Sequence, residues 1–107
     1  MNRRQALSVV ALIAACVWAR PASAQGIVRF HNVSFPGGVL VEVRVGETID
    51  SATLFGTQKI AKDDVWEVDT GGGVAWWRRE MNPGSNDGRF TAWQSADPSH
   101  DDQHVEL

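Results

Sequence analysis

The chain has 107 residues, a formal net charge of −3, one cysteine and a hydrophobic content of 43%. This length allows a single domain, and one cysteine excludes an internal disulfide framework. The acidic balance argues against nucleic acid and anionic membrane surfaces as partners, because binding to phosphate requires a concentrated basic surface.

The first 24 residues have the pattern of a cleaved export signal. Arg3 and Arg4 precede an apolar run over residues 6–15, and a small-residue A-x-A cleavage site follows at residues 22–24. The run is too short to span a hydrocarbon core of about 30 Å, so we predict no transmembrane segment after cleavage. Removing residues 1–24 leaves seven basic residues against thirteen acidic ones, a net charge near −6. We therefore predict a periplasmic or secreted protein.

Cys16 allows an alternative localisation, that of a lipid-anchored protein. Together with the preceding Ile13-Ala14-Ala15 it resembles a bacterial lipobox, in which the cysteine becomes the lipidated first residue of an anchored protein. The paired arginines also resemble a twin-arginine export signal. The sequence therefore leaves open both the export route and the choice between a free and a lipid-anchored protein. Cleavage at residue 24 would remove the only cysteine, so we predict a domain without a disulfide.

Residues 25–94 are predicted to form one all-β domain. The clearest strand spans residues 39–45, where valines occupy every second position and Glu42 and Arg44 share the opposite face. Residues 65–69 alternate in the same way, and no window has sustained helical periodicity. Further β-rich segments, separated by turn residues, are 27–32, 51–55, 74–80 and 89–93. This spacing predicts a small β-sandwich or partly open barrel of about six short antiparallel strands.

The last two of these segments contain three tryptophans and are predicted to form a hairpin across a loop rich in turn residues. One register places Arg78 opposite Arg89, so that two like charges face and repel each other. Another register places Glu80 opposite Arg89 and Trp76 opposite Trp93. Opposite charges and aromatic pairs stabilise a strand pair by up to about 1 kcal/mol each, so we predict the second register.

The predicted register gives the hairpin two faces. One face is expected to join the core and carries Ala75, Trp77, Phe90 and Ala92. The other is the candidate ligand-binding face and carries Trp76, Trp93, Arg78, Arg89 and Glu80. Flat aromatic area flanked by forked donors suits a glycan, or an acidic or aromatic peptide. The alternative is that a loop or the tail covers this face, so that Trp76 and Trp93 become peripheral core.

Residues 95–107 lose the alternation, are acidic and are predicted to form a flexible tail. Within them, His100, Asp101 and His104 are candidate ligands for Zn, Cu or Ni. His31 has no partner nearby in the sequence and is predicted to be an ordinary strand residue. The sequence contains no cofactor-binding or catalytic motif, so we predict no cofactor and find no support for catalysis.

Together these features predict a small exported β-domain that acts as a non-enzymatic binding or accessory module, with a glycan or a protein or peptide as its ligand. One alternative is a structural or interaction subunit of an envelope assembly, which would add its sheet edge or aromatic face to a protein partner. Another is a metal-handling protein that uses the histidines of the tail. The sequence gives no indication of oligomeric state.

Overall fold

The computed structural model describes residues 26–99 and 102–107, and the elements in these residues are all β-strands. They are β1 (Ile27–His31), β2 (Val39–Gly46), β3 (Thr53–Ile60), β4 (Val65–Asp69), β5 (Val74–Arg79), β6 (Gln94–Ala96) and β7 (Gln103–Glu106). The predicted all-β fold is confirmed, with seven strands instead of about six. The predicted signal, residues 1–24, lies outside the described residues. Within them, no helix is long and apolar enough to cross a membrane.

The strands form two sheets. The three-stranded sheet has the order β4-β1-β7 and the four-stranded sheet has the order β3-β2-β5-β6. All pairs are antiparallel except β1 with β7, which is parallel. Strands β4 and β7 are therefore the edges of the smaller sheet, and β3 and β6 are the edges of the larger one. The Phe55 ring of β3 lies 6.4 Å from that of Trp66 of β4, measured between centroids, so these two edges are neighbours.

The core lies between the sheets and follows from the alternation of the strands. In β2, Val39, Val41 and Val43 are fully buried and the intervening side chains face outward. The Phe30 ring of β1 packs at 5.9 Å from Trp77 of β5, measured between centroids, so that aromatic contact joins the sheets. Trp77 exposes only 7% of its surface, which confirms its predicted place in the core. Burying each such side chain stabilises the fold by about 1.5–3 kcal/mol.

Strand β3 is longer than the sequence indicates. The sequence suggests a strand over residues 51–55, a turn or bulge at Gly56, and a separate edge strand over residues 58–61. In the structure these segments join into one strand, because β3 runs from Thr53 through Gly56 to Ile60. Its pairing with β2 shifts by one residue, because Val43 pairs with Gly56 and Arg44 pairs with Leu54. Phe55 is the extra residue, so the glycine marks a β-bulge within the strand.

A buried asparagine shapes the turn between β1 and β2. The Asn32 side chain donates to the carbonyl of Ile60 at 2.8 Å and to that of Phe35 at 3.3 Å. Its Oδ1 accepts hydrogen bonds from the backbone N–H groups of Ser34 and Phe35. Both ends of the amide are thus satisfied without water, as a fully buried polar side chain requires.

The C-terminal segment departs from the expectation of a tail. Residues 94–96 form β6, and residues 103–106 form β7 beside β1. Leu107 is buried, and its N–H donates to the His31 carbonyl at 2.9 Å. The physical reason is long-range: β7 is only four residues long and its pairing partner lies more than seventy positions earlier in the chain. A local hydrophobic pattern carries no information about such a pairing.

Candidate binding face

The candidate site lies on the side of the four-stranded sheet that faces away from the core. Pairing of β2 with β5 places Glu42 opposite Arg78 and Arg44 opposite Trp76. The buried valines of β2 occupy the alternate positions, so these four side chains share the outward side. Phe90 and Trp93, from the segment before β6, pack onto the same side. We call these six residues the cation–aromatic face.

The predicted hairpin register is wrong. Trp76 pairs with Ser95 and Trp77 pairs with Gln94, while Glu80 forms an isolated bridge with Phe90. Neither of the predicted pairs, Trp76 with Trp93 and Glu80 with Arg89, is formed.

At Thr91 the pairing between β5 and the segment that precedes β6 is irregular. The Thr91 N–H donates to the Arg79 carbonyl at 2.8 Å, and its hydroxyl accepts the Arg79 N–H at 3.1 Å. A side-chain oxygen therefore replaces a backbone carbonyl in the ladder, and the regular pairing begins only at Gln94.

The change of register moves Phe90 and Ala92 out of the predicted core face. The Phe90 ring lies against Arg78, with the guanidinium carbon 4.5 Å from the ring centroid. Ala92 is exposed. Ala75 and Trp77 alone keep their predicted core positions. A loop therefore covers part of the outward side, as the alternative interpretation of the sequence described.

Arg78 is held by several groups at once. Its Nε and Nη2 donate to Glu42 Oε1 at 2.9 and 2.7 Å. The same guanidinium lies 4.8 Å from the Trp93 ring centroid, in addition to its contact with Phe90. A half-buried, charge-assisted pair flanked by aromatic rings is a structural interaction, and a ligand that used Arg78 would have to compete with Glu42.

Arg44 differs from Arg78 in that no carboxylate of the described residues pairs with it. Its guanidinium carbon lies 4.9 Å from the Trp93 ring centroid. Within the described residues, the ion pairs join Arg29 with Glu67 and Asp102, and Arg78 with Glu42. The forked donor of Arg44 therefore keeps its capacity for a carboxylate. The sequence placed Arg44 on the outward face of its strand but could not show that this strand neighbours β5.

Trp76 and Trp93 are both half-buried. Their burial is intermediate between the two alternatives that the sequence left open, an exposed binding face and a peripheral core. The indole N–H of Trp76 donates to the Gly46 carbonyl at 3.3 Å. Trp93 has the guanidinium groups of Arg44 and Arg78 within 5 Å of its ring centroid. Each ring keeps some accessible surface, and Trp93 is the centre of the charged part of the face.

Two of the predicted site residues lie elsewhere. Arg89 is exposed, and its N–H donates to Asp87 Oδ1 within the loop. Glu80 is buried, with 2% of its surface exposed, and its carboxylate accepts hydrogen bonds from the N–H groups of Gly84 at 3.0 Å and Asn86 at 3.1 Å. It therefore organises the loop and does not orient Arg89.

These contacts also shift the acidity of Glu80. The hydrogen bond from Gly84, together with a weaker contribution from Asn86, holds the pKa of the Glu80 carboxyl below its ordinary value of 4.5. Burial acts in the opposite direction but does not prevail. Both Gly84 (φ 86°) and Asn86 (φ 54°) have left-handed backbone, and their N–H groups converge on the carboxylate.

The predicted metal ligands are only partly within the described residues. His100 and Asp101 lie outside them, whereas His104 lies on β7 beside β1. Its ring centroid is 5.3 Å from that of His31. Over residues 26–99 and 102–107, no group of three or more histidine, cysteine, aspartate or glutamate side chains is arranged to hold a metal ion.

Comparison with known proteins adds a likeness of fold. No protein-family model and no curated protein matches the chain. A solved structure described as the crystal structure of (S)-allantoin synthase is similar to it, with a TM-score of 0.50 and 15% sequence identity. The match covers 81% of this chain and 41% of that one, so the chain spans less than half of the structure it resembles. At this identity the similarity concerns the fold alone.

Proposed function

We propose that this chain is a small exported, non-enzymatic binding module whose ligand contacts the cation–aromatic face. The observation that carries the proposal is Arg44, a guanidinium with no carboxylate partner within the described residues, placed beside the half-buried Trp93 ring. A ligand that brings both an apolar surface and a carboxylate matches this pair of groups. Acidic glycans and acidic peptides have that chemistry.

The roles of the two arginines differ in this proposal. Arg78 is already paired with Glu42 and fixes the position of the Trp93 ring, so it acts as a positioning residue. Arg44, which is in no ion pair with a described residue, supplies the donors that contact the ligand. Trp76, held through its N–H by Gly46, extends the aromatic area next to Arg44.

Tryptophan emission provides the test. The full chain is titrated with oligosaccharides that carry uronic acids, with neutral oligosaccharides of equal length, and with acidic peptides. We expect a saturable shift in emission with one acidic class and none with the neutral sugars. Trp93→Phe should remove most of the shift, since that ring lies at the centre of the face.

A matched pair of variants locates the donor. Arg44→Gln should weaken binding by about tenfold or more, equivalent to about 1.4 kcal/mol. Arg89→Gln, at an exposed loop position, should leave the affinity within a factor of about two. Absence of any saturable shift, or equal losses in the two variants, would show that the face is not a binding site.

A second candidate function is that of an interaction subunit, and the edge strand β3 favours it. Leu54 and Phe55 in this strand expose 55% and 51% of their surface. The bulge turns Phe55 toward Trp66 of the other sheet, at a centroid distance of 6.4 Å, so an apolar strip follows the edge of the domain. Such a strip is suited to contact with another protein surface.

Sedimentation velocity over a wide range of protein concentration tests the case in which the partner is a second copy. We expect a concentration-dependent dimer that Phe55→Ser abolishes. Val33→Ser, an exposed apolar position in the turn after β1, should not affect it. A monomer at all concentrations would exclude self-association through this edge.

A further inference from the structure

A pair of histidines lies on the outward side of the three-stranded sheet. In the parallel pairing of β1 with β7, His31 is opposite Glu106 and Arg29 is opposite His104. Phe30 and Val105, at the alternate positions, face the core. The His31 ring is half-buried and the His104 ring is exposed, and their planes meet at 82°. Solvent can therefore reach the space beside both rings.

The distance between the rings is compatible with two imidazoles bound to one ion. A metal–nitrogen bond of about 2.0–2.1 Å and a near-tetrahedral angle place the centroids of two ligating imidazoles about 5 Å apart. The observed centroid distance is 5.3 Å. We propose that His31 and His104 form a binding site for a divalent transition-metal ion of the Zn²⁺, Ni²⁺ and Cu²⁺ class, for which imidazole is a preferred ligand.

The neighbouring charges permit a cation here. Arg29, next to His104 in the strand pairing, is the only arginine of β1 and would repel an ion if it were unpaired. Its Nε binds Glu67 at 2.7 Å, and its Nη1 binds Asp102. The two carboxylates more than neutralise the one guanidinium. The net charge of these three side chains beside the histidines is therefore negative.

The proposed site has two imidazole ligands. The described residues hold no ready group of three, so water completes the coordination of the ion. Glu106 belongs to the same side of the sheet as His31 and is the carboxylate closest to it in the strand pairing. We expect an affinity below that of structural sites, which have four protein ligands. By the usual order of stability Cu²⁺ should bind most tightly of the three ions.

This site differs from the one that the sequence suggested. Both include His104, but the sequence paired it with His100 and Asp101, four and three positions earlier in the chain. The structure pairs it with a residue of β1, more than seventy positions away. Separate substitution of His31 and His100 distinguishes the two sites.

The experiment is calorimetric titration of the untagged full chain with Zn²⁺ and Cu²⁺. We expect His31→Ala and His104→Ala each to weaken binding by at least about tenfold, because even the outer partners of metal ligands contribute that much. His100→Ala should bind as the unchanged chain does. Full affinity in His31→Ala would overturn the proposal, and loss in His100→Ala alone would assign binding to the segment before β7.

A second measurement uses the unsubstituted protein and so does not depend on the folding of the variants. Sub-stoichiometric Cu²⁺ is added while the histidine ring signals are followed by NMR. We expect the His31 and His104 signals to broaden together, before that of His100. Selective broadening of His100, or equal broadening of all three, would contradict a site between β1 and β7.

Discussion

At the scale of single residues, Glu80 is the clearest case of a side chain whose role is set by packing. Its carboxylate accepts hydrogen bonds from two backbone N–H groups of the loop that follows β5, and we expect these bonds to stabilise that loop. Glu80→Gln should lower the free energy of unfolding by about 1–3 kcal/mol at neutral pH, since hydrogen bonds to a charged group are the stronger kind. Urea unfolding measures the difference, and Glu47→Gln, at an exposed position, is the control.

The pH dependence of this difference follows from the direction of the pKa shift. The pKa of Glu80 is lower in the folded chain than its ordinary value of 4.5. Its ionised form therefore contributes stability above that value, and the contribution is lost as the pH falls through the folded-state pKa. The unchanged chain and Glu80→Gln should converge in stability in this acid range. A difference that stays constant down to pH 3 would show that the carboxylate charge is not what holds the loop.

At the scale of elements, the sequence predicted strands well wherever one face is buried. The valines of β2 and the alternation of β4 define their strands because every second side chain enters the core. The pairing of β5 with the following segment was not predictable from cross-strand charges. Such pairs contribute up to about 1 kcal/mol each, and the stacking of Phe90 and Trp93 on arginines, with the Thr91 hydrogen bonds, offsets that preference.

The candidate face was predictable in part for the same reason. Trp76, Trp93 and Arg78 do share one side of the four-stranded sheet. Arg44 and Glu42 were missed as members because they come from β2, and only the order of strands in the sheet brings β2 beside β5. The proximity of His31 and His104 was not predictable for the same reason, because a parallel contact between the first and last strands produces no local sequence pattern.

At the scale of the whole molecule, the chain passes between the two sheets four times, and the last passage brings β7 to β1. Without β7, the smaller sheet would consist of β4 and β1 alone, and a two-stranded sheet is marginally stable in water. The removal would also expose the backbone edge of β1 and uncover part of the core beside Phe30. The C-terminal residues thus complete the fold.

Deletion of residues 103–107 should therefore destabilise the entire domain. We expect a loss of about 3 kcal/mol or more, because a buried leucine contributes about 1.5–3 kcal/mol and the hydrogen bonds between β7 and β1 are lost with it. In a domain whose total stability is of the order of 5–15 kcal/mol, this is a large fraction. Urea unfolding followed by tryptophan emission should show a lower midpoint, and Leu107→Ala alone should reproduce part of the change. An unchanged midpoint in the shortened chain would mean that β7 is attached to the fold without supporting it.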